Sequence, residues 1–230
     1  MNLIILSALP PPRGGVTTHI ERLIPYLEEK KIRFVVWDHS KIKKEQGFVI
    51  SLRREPIKVL ISFLRHRGVK VLYWPLSVIT AGKILFLLLM KMMGVRITVT
   101  LAASPEQTIG HGLLNQFYLL GLARLSAHII AANGDFKKLL MDKGINKEKI
   151  SIIPAFIPSK NDSMETLSIP KNAVEFCKNR KPLIITYAYG PDLHKGEDLY
   201  GLDLIVQLAQ ELWTGLPQAG FIVVIPEITN

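Results

Sequence analysis

The first 37 residues carry the feature that most constrains the fold of this chain. Residues 2–8 form an apolar run of strand length, and residues 9–15, with three prolines and two glycines, cannot continue it. Residues 16–31 have helical periodicity, and residues 32–37 form a second apolar run. The segment therefore predicts a β-loop-α-β unit. Its loop lies at the carboxyl end of a strand, which is where parallel α/β sheets bind ligands.

Gly14 and Gly15 stand between this first strand and its helix. A pair of glycines lets backbone N–H groups approach a ligand without an intervening Cβ, and a helix N-terminus favours anions. We therefore expect the phosphate of a ligand at this loop. The alternative is a tight strand-to-helix turn that binds nothing. NAD binding and a P-loop are not predicted, because the sequence has neither the G-x-G-x-x-G nor the Walker pattern.

Strand-like and helical segments alternate along the rest of the chain. Helices are predicted over residues 56–67, 76–93, 113–125, 135–143, 171–179 and 199–212, and strands over 48–52, 69–74, 95–101, 127–132, 150–153, 183–189 and 221–225. This alternation predicts an α/β fold, a Rossmann-like parallel sheet with helices on both faces. We expect an N-terminal domain over residues 1–158, a proline-punctuated connector over 159–181, and an incomplete second Rossmann-like domain over 182–230.

The net charge of +10 is concentrated in one part of the chain. Residues 1–96 hold 17 Lys or Arg against 6 Asp or Glu, whereas residues 97–230 are close to neutral. This asymmetry favours an anionic partner, although a solvated basic face is the alternative. The candidates for contact with an anionic membrane surface are Arg53, Arg54, Lys58, Arg65, Arg67 and Lys70. No nucleic-acid partner is expected, because these basic residues lack interleaved aromatic residues and a recognition motif.

Several chemistries and locations are not predicted by the sequence. It has no H-E-x-x-H, paired C-x-x-C or D-x-D pattern, so we expect no metal and no other cofactor. Cys177 is the only cysteine, which excludes an internal disulfide and favours the cytoplasm. The apolar stretch 76–93 is close to the minimum length of a membrane span, but Lys83 and Lys91 interrupt it. We predict a buried or interfacial helix there.

Three motifs, in the right order along the chain, resemble those of family 4 (group 1) glycosyltransferases. Residues 11–23, PPRGGVTTHIERL, resemble the opening P-P-x-x-G-G-x-x-x-H-x-x-x-L of that family. Residues 126–132, SAHIIAA, and residues 148–158, EKISIIPAFIP, are similar to its A-D-x-I-I-A and x-K-I-x-x-I-P-N-G-V segments. The strand predicted over 183–189, with the Lys195-Gly196 pair that follows it, resembles the start of the family's donor-binding domain.

The resemblance implies a GT-B fold, in which two Rossmann-like domains face a cleft. In the family the N-terminal domain holds the acceptor and the C-terminal domain holds a nucleotide-sugar. It further implies metal-independent glycosyl transfer with retention, in cell-surface polysaccharide or lipid-linked glycan synthesis at the inner face of the membrane. The site residues it implies are Gly14, Gly15 and Lys195 for the donor phosphate, and Arg13 and His19 on the acceptor side. His111, nine residues beyond the position where the family often has a histidine, is the catalytic candidate.

The sequence also departs from the family pattern. Pro191 stands where family members usually have an arginine, and Ala102 stands where a histidine often occurs. By the resemblance, the family's E-x7-E region, which binds the donor, would lie beyond Asn230. We therefore expect this chain to be inactive by itself. The alternative from another functional class is a non-catalytic domain that binds an acceptor or a protein partner.

Overall fold

The computed structural model describes residues 2–11, 14–42, 44, 46–65, 70–101, 113–158, 160, 170–188, 193–194, 197–198 and 200–225. The chain divides into two compact units, Met1–Lys160 and Asn161–Asn230. The finer division predicted from the sequence, with a separate connector over residues 159–181, stays a prediction.

A seven-stranded parallel sheet forms the centre of the first unit. Its strands are β1 (Asn2–Leu6), β2 (Phe34–Asp38), β3 (Val49–Ser51), β4 (Lys70–Leu76), β5 (Arg96–Leu101), β6 (His128–Ala131) and β7 (Ile150–Ile152). Their spatial order is β3-β2-β1-β4-β5-β6-β7, and every pairing is parallel. The chain therefore winds outward on one side of β1 and then on the other, so the order reverses between β1 and β4.

In the described ranges of the first unit, five α-helices connect these strands. They are α1 (Gly15–Glu29), α2 (Pro56–Arg65), α3 (Ala81–Met92), α4 (Leu113–Leu125) and α5 (Gly134–Asp142), and a short 3-10 turn (Lys147–Lys149) precedes β7. The helix predicted over 76–93 is wrong at its start, because Leu76 is the last residue of β4. The Thr80 hydroxyl accepts a hydrogen bond from the Lys83 N–H at 3.4 Å, and this cap sets the start of α3.

Alternate residues of the strands point into two separate apolar cores. On one face Ile4, Trp37 and Leu72 pack in a cluster that also holds Leu87 of α3 and Phe136 of α5. On the other face Ile5, Val36 and Tyr73 pack with Ile20 and Ile24 of α1. Right-handed crossovers place α1 opposite the later helices because the chain changes direction at the reversal. The predicted Rossmann-like sheet with helices on both faces is confirmed.

The described residues that follow β7 run back along α1, and we call residues 153–158 with Lys160 the returning segment. Arg22 donates a hydrogen bond to the carbonyl of Ile157 at 3.2 Å, and the Tyr26 hydroxyl donates to the carbonyl of Pro158 at 3.1 Å. Lys160 forms a salt bridge with Glu29. Because residues 22, 26 and 29 lie on one face of α1, the segment is attached along two helical turns.

The second unit contains α6 (Lys171–Lys178), β8 (Leu183–Tyr187), β9 (Leu193–His194), β10 (Glu197–Asp198), α7 (Leu202–Gly215) and β11 (Gly220–Val224). Strands β8 and β11 pair in parallel, whereas β9 and β10 form a short antiparallel pair. The helix predicted over 199–212 begins too early. The Asp198 carboxylate accepts from the Tyr200 and Leu202 N–H groups at 2.9 and 3.1 Å, and this turn precedes α7.

Three helices of the first unit end in the same hydrogen-bonded motif, with one residue in the left-handed region. Gly94 after α3 has φ +76°, and Gly144 after α5 has φ +83°. After α1 the same position is occupied by Lys31, with φ 51°. There the Lys31 and Ile32 N–H groups donate to the carbonyls of Glu28 and Leu27. A lysine carries steric strain in this conformation, whereas a glycine does not.

We expect Lys31→Gly to raise the free energy of unfolding by about 1 kcal/mol, because it relieves this strain. Gly94→Ala should lower it by about the same amount. Urea-induced unfolding measures both. Gly82→Ala serves as the control, because Gly82 is helical, a Cβ there meets open space, and alanine should be neutral or stabilising. A Lys31→Gly variant that is less stable than the wild-type chain would contradict the strained left-handed conformation of Lys31.

Candidate functional site

A cavity of about 490 Å³ opens at the carboxyl edge of the first unit's sheet, where the strand order reverses. Leu6 and Ala8 line it at the end of β1, Trp74 and Ser77 at the end of β4, and Val16 in the first turn of α1. At such a reversal, the connections that follow the two neighbouring strands run to opposite faces of the sheet. The crevice between these connections is where open α/β sheets bind ligands. We call this the switch-point cavity, and it is the candidate functional site.

The glycine pair begins α1 directly before the cavity-lining residues Val16 and Thr17. The Thr17 hydroxyl accepts from the Gly14 N–H at 2.8 Å and caps the helix. A Cβ added to Gly14 would meet only the Thr17 hydroxyl, at 3.9 Å, and one added to Gly15 would meet nothing within 4 Å. Gly14 is also extended, with φ −160°. Within the described chain, neither backbone conformation nor packing requires glycine here, so the space before Gly15 is open to an approaching group.

Three basic side chains line the switch-point cavity, namely His39 after β2, Arg53 after β3 and Lys83 in α3. The Lys83 Nζ donates to the carbonyl of Val78 at 2.7 Å and lies 5.8 Å from the centroid of the Trp74 ring. Within the described ranges neither Arg53 nor Lys83 forms a salt bridge. The cavity therefore carries positive charge that no described carboxylate neutralises directly.

Burial is the largest cause of the pKa shifts in the cavity. Burial lowers the pKa of Lys83. Burial also lowers the pKa of His39, and the charges of Lys83 and Arg53 lower it further, while the Asp38 charge and a backbone hydrogen bond act in the opposite direction. Asp38 is itself buried. Its Oδ1 accepts from the Ser40 N–H at 2.6 Å, and its Oδ2 has no hydrogen-bond partner among the described residues.

His19 does not line the switch-point cavity, because its ring is held on the α1 face of the sheet. Its Nδ1 lies 2.8 Å from the carbonyl oxygen of Ala155, and its Nε2 lies 3.1 Å from the Tyr73 hydroxyl. The Tyr73 hydroxyl in turn lies 3.0 Å from the Thr100 hydroxyl. A carbonyl oxygen only accepts, so Nδ1 is the donor, and in the neutral ring Tyr73 donates to Nε2. His19 thus joins α1, β4 and the returning segment.

A second cavity, of about 360 Å³, lies on that same face of the sheet. Its walls include Leu23, Val71, Ile130 and Phe156, which are apolar. Its polar lining residues are His19, Tyr73, Thr98 and Thr100, of which His19, Tyr73 and Thr100 are hydrogen-bonded to one another or to the returning segment. The second cavity therefore offers an apolar surface, whereas the switch-point cavity offers charge. Of these two cavities, only the switch-point cavity suits an anionic ligand.

The residues predicted for donor and acceptor binding fall in different places. Gly14 and Gly15 lie beside the switch-point cavity, whereas His19, one turn later in α1, is hydrogen-bonded to Ala155 and Tyr73 at the second cavity. Arg13, His111 and Lys195, together with Arg67 of the basic set, lie outside the described residues. The structure therefore brings together the glycine pair and the switch-point cavity, and the roles of these predicted residues stay predictions.

The basic residues predicted to contact a membrane do not form one cluster. Arg53 lines the switch-point cavity, Arg54 donates to the carbonyl of Lys41 at 3.1 Å, and Lys58 pairs with Glu55. The Lys70 Nζ lies 3.6 Å from the centroid of the Phe63 ring, at the amino edge of the sheet. Residue 65 ends α2. The predicted set is therefore spread from one edge of the sheet to the other.

Sequence reasoning missed His39 and Lys83 as site residues. His39 directly follows a buried strand, and this position at a strand's carboxyl end was an available signal. Lys83 was noted only as a charge that interrupts an apolar helix. Its position in the first turn of the helix after β4 places it at the same edge.

No protein-family model and no curated protein matches the chain. Solved structures do resemble it. UDP-GlcNAc 2-epimerase from Neisseria meningitidis, bound to UDP-GlcNAc, matches with a TM-score of 0.58 and 17% identity over 100% of this chain and 66% of that one. HepE of Anabaena in complex with UDP matches with a TM-score of 0.51 and 14% identity, over 98% of this chain and 70% of that one. An alpha-glucosyltransferase in complex with UDP and DNA matches with a TM-score of 0.51 and 12% identity, over 97% of this chain and 55% of that one.

These likenesses establish the fold, which is of the GT-B type built from Rossmann-like α/β units. The chain spans 55–70% of the length of these three structures. At 12–17% identity the likeness is one of architecture.

We expect Tyr73→Phe to lower the free energy of unfolding by about 1–2 kcal/mol, because His19 and the buried Thr100 hydroxyl each lose a partner. Thermal or urea unfolding measures the change. Tyr187→Phe is the matched control, because Tyr187 is 58% exposed and its hydroxyl has no hydrogen-bond partner among the described residues. Equal stability of the Tyr73 variant and the wild-type chain would show that this chain of hydrogen bonds does not hold α1 in place.

Proposed function

We propose that the chain belongs to a nucleotide-sugar-dependent glycosyltransferase related to family 4, with the acceptor held by the first unit. The observation that carries the proposal is the switch-point cavity beside the open glycine loop. The motifs that resemble family 4 begin at this same loop. The solved structures of similar fold were determined with UDP or UDP-GlcNAc bound, which supports a nucleotide-sugar as the donor.

In the proposed reaction the glycosyl group leaves a nucleoside diphosphate and joins an acceptor hydroxyl, with retention of configuration. The departing diphosphate must be stabilised by hydrogen-bond donors and cations that are already in place. The first-turn N–H groups of Gly15 and Val16 have no intrahelical acceptor and supply donors. Lys195 supplies a cation from the second unit, by its resemblance to the family's lysine. No metal is required in this scheme.

The proposal is tested with the 230-residue chain and a panel of UDP-, GDP- and dTDP-sugars. Ligand-observed NMR detects millimolar binding. A coupled assay with a lipid extract checks the expectation that this chain by itself releases no nucleoside diphosphate. We expect at least one nucleotide-sugar to bind. Failure of every nucleotide-sugar to bind would favour the non-catalytic domain. Epimerisation of the bound sugar without acceptor-dependent release would contradict glycosyl transfer.

Gly15→Leu should weaken nucleotide-sugar binding by tenfold or more, because its side chain fills the open space before the loop. The thermal midpoint should change little, since a Cβ at Gly15 meets no described atom within 4 Å. Gly134→Leu is the matched control. Gly134 is also the first residue of a helix with open space around it, and this variant should bind like the wild-type chain. Equal binding by both variants would remove the glycine loop from the site.

We propose further that the first unit binds the inner face of the membrane through α2 and α3. Ile57, Leu60, Ile61 and Leu64 of α2 are exposed, at spacings of i, i+3, i+4 and i+7. Leu85, Leu88, Leu89 and Met92 of α3 repeat the same spacing and are also exposed. Each set forms one stripe along its helix that faces away from the core. We call the two together the apolar stripes.

Exposed apolar stripes on helices are typical of a surface that rests on a membrane. The net charge of residues 1–96 attracts anionic lipid headgroups. In the described part of the chain no helix combines the length and the apolar character needed to cross a bilayer. Contact through the apolar stripes is therefore proposed as peripheral, which suits an enzyme of polysaccharide or lipid-linked glycan synthesis.

The membrane proposal is tested by sedimentation with vesicles that contain phosphatidylglycerol. Leu60→Glu and Leu85→Glu should each weaken binding by about tenfold or more, because burial of a leucine side chain contributes about 1.5–3 kcal/mol. Leu204→Glu is the control, a leucine of α7 that is 63% exposed. Binding that both stripe variants retain, or that Leu204→Glu loses to the same extent, would contradict the proposal.

A further inference from the structure

We propose that the switch-point cavity binds a phosphate group, which His39, Arg53 and Lys83 contact while Trp74 and Phe86 contact an apolar part of the same ligand. The assignment of this ligand as the acceptor rests on the proposed function. The binding of a phosphate group does not, because it follows from the cavity alone.

Basic side chains surround the space that the phosphate group would occupy. His39, Arg53 and Lys83, which follow three different strands, line one cavity. Burial is the main cause of the lowered pKa of His39, and the charges of Lys83 and Arg53 add to it against the opposing charge of Asp38. Like charges that are brought together in partly desolvated surroundings destabilise one another. Asp38 is the described acidic residue that acts on His39, and its Oδ1 is already engaged by Ser40. A bound anion would offset the effect of the Lys83 and Arg53 charges on His39 and would give Arg53 and Lys83 a charged partner.

Phosphate suits the cavity better than a carboxylate does. A phosphate carries up to two negative charges and several acceptor oxygens, so it can engage three separate donors at once. The first turn of α1, at Val16 and Thr17, lies in the same wall and adds the partial positive charge of a helix N-terminus. Arg53 offers a fork of N–H donors, and Lys83 offers a point charge.

The remaining walls indicate what lies beside the phosphate. A cavity of about 490 Å³ holds much more than a phosphate ion. Trp74 and Phe86 meet edge to face, with ring centroids 5.6 Å apart, and together with Val78 they form an apolar wall. Lys83 and Phe86 belong to α3, the helix that also carries one of the apolar stripes. The phosphate is therefore either free in solution or attached to a lipid, and the experiment separates the two sources.

The pKa of His39 in the full 230-residue chain is the direct readout. Proton NMR follows the six histidines over pH, and the His39→Gln variant assigns the His39 signal. The probes are inorganic pyrophosphate and farnesyl diphosphate, below its micelle concentration. We expect either probe to raise the pKa of His39 by about one pH unit, because an opposite charge then lies beside the ring. Tighter binding of farnesyl diphosphate would identify a lipid source, and equal binding a free phosphate.

Two variants and one control complete the experiment. Lys83→Met and Arg53→Met should each reduce the affinity for pyrophosphate by about tenfold, read from the His39 signal. Lys138→Met removes an exposed lysine of α5 and should leave the affinity unchanged. An unchanged pKa of His39 with both probes in the wild-type chain would overturn the inference, whether or not the variants fold.

Failure of the phosphate site and failure of the proposed glycosyltransferase function give different results. Binding of a nucleotide-sugar without any response of His39 to the two probes would remove the phosphate site and leave the glycosyltransferase proposal. A response of His39 without nucleotide-sugar binding would leave the phosphate site and remove the glycosyltransferase proposal.

Discussion

The reversal of strand order between β1 and β4 is the constraint on which the rest of the first unit depends. Parallel strands need crossover connections, and those connections are right-handed. A chain that winds to one side of β1 and then to the other must therefore place α1 and the later helices on opposite faces of the sheet. The crevice that opens between them at the carboxyl edge is a geometric consequence. The glycine loop, His39, Arg53 and Lys83 all meet it because each follows a strand at that edge.

The same topology explains why two histidines close to α1 and β2 have different roles. The hydrogen bonds of His19 are to Ala155 and Tyr73, so this residue fastens the returning segment to α1 and the sheet. His39 lies at the carboxyl edge, where burial lowers the pKa of its ring; the charges of Lys83 and Arg53 lower it further, and the charge of Asp38 opposes them. Polar groups on the α1 face satisfy one another, whereas the basic groups of the switch-point cavity do not. This contrast is the physical reason for placing ligand chemistry in one cavity and not in the other.

Much of the fold was predictable from local sequence. The spacing of apolar residues indicates the strands and helices, and Gly94 and Gly144 mark the ends of two helices. The error at Leu76 arose because a strand, a short loop and an apolar helix follow one another without a polar break. The site was less predictable. The partner of His19 is 136 residues away in the sequence, and the grouping of His39, Arg53 and Lys83 depends on which strands are neighbours. Local patterns do not carry that information.

A map of backbone amide shifts on addition of inorganic pyrophosphate tests the central claim, that ligands bind at the reversal of strand order. We predict the largest changes at the carboxyl edge, in Ala8, Gly15, Val16 and Ser77, which border or line the switch-point cavity. Amides at the opposite edge, such as those of Gly94 and Val95, should not respond. Largest changes at the opposite edge, or along the returning segment, would contradict the account.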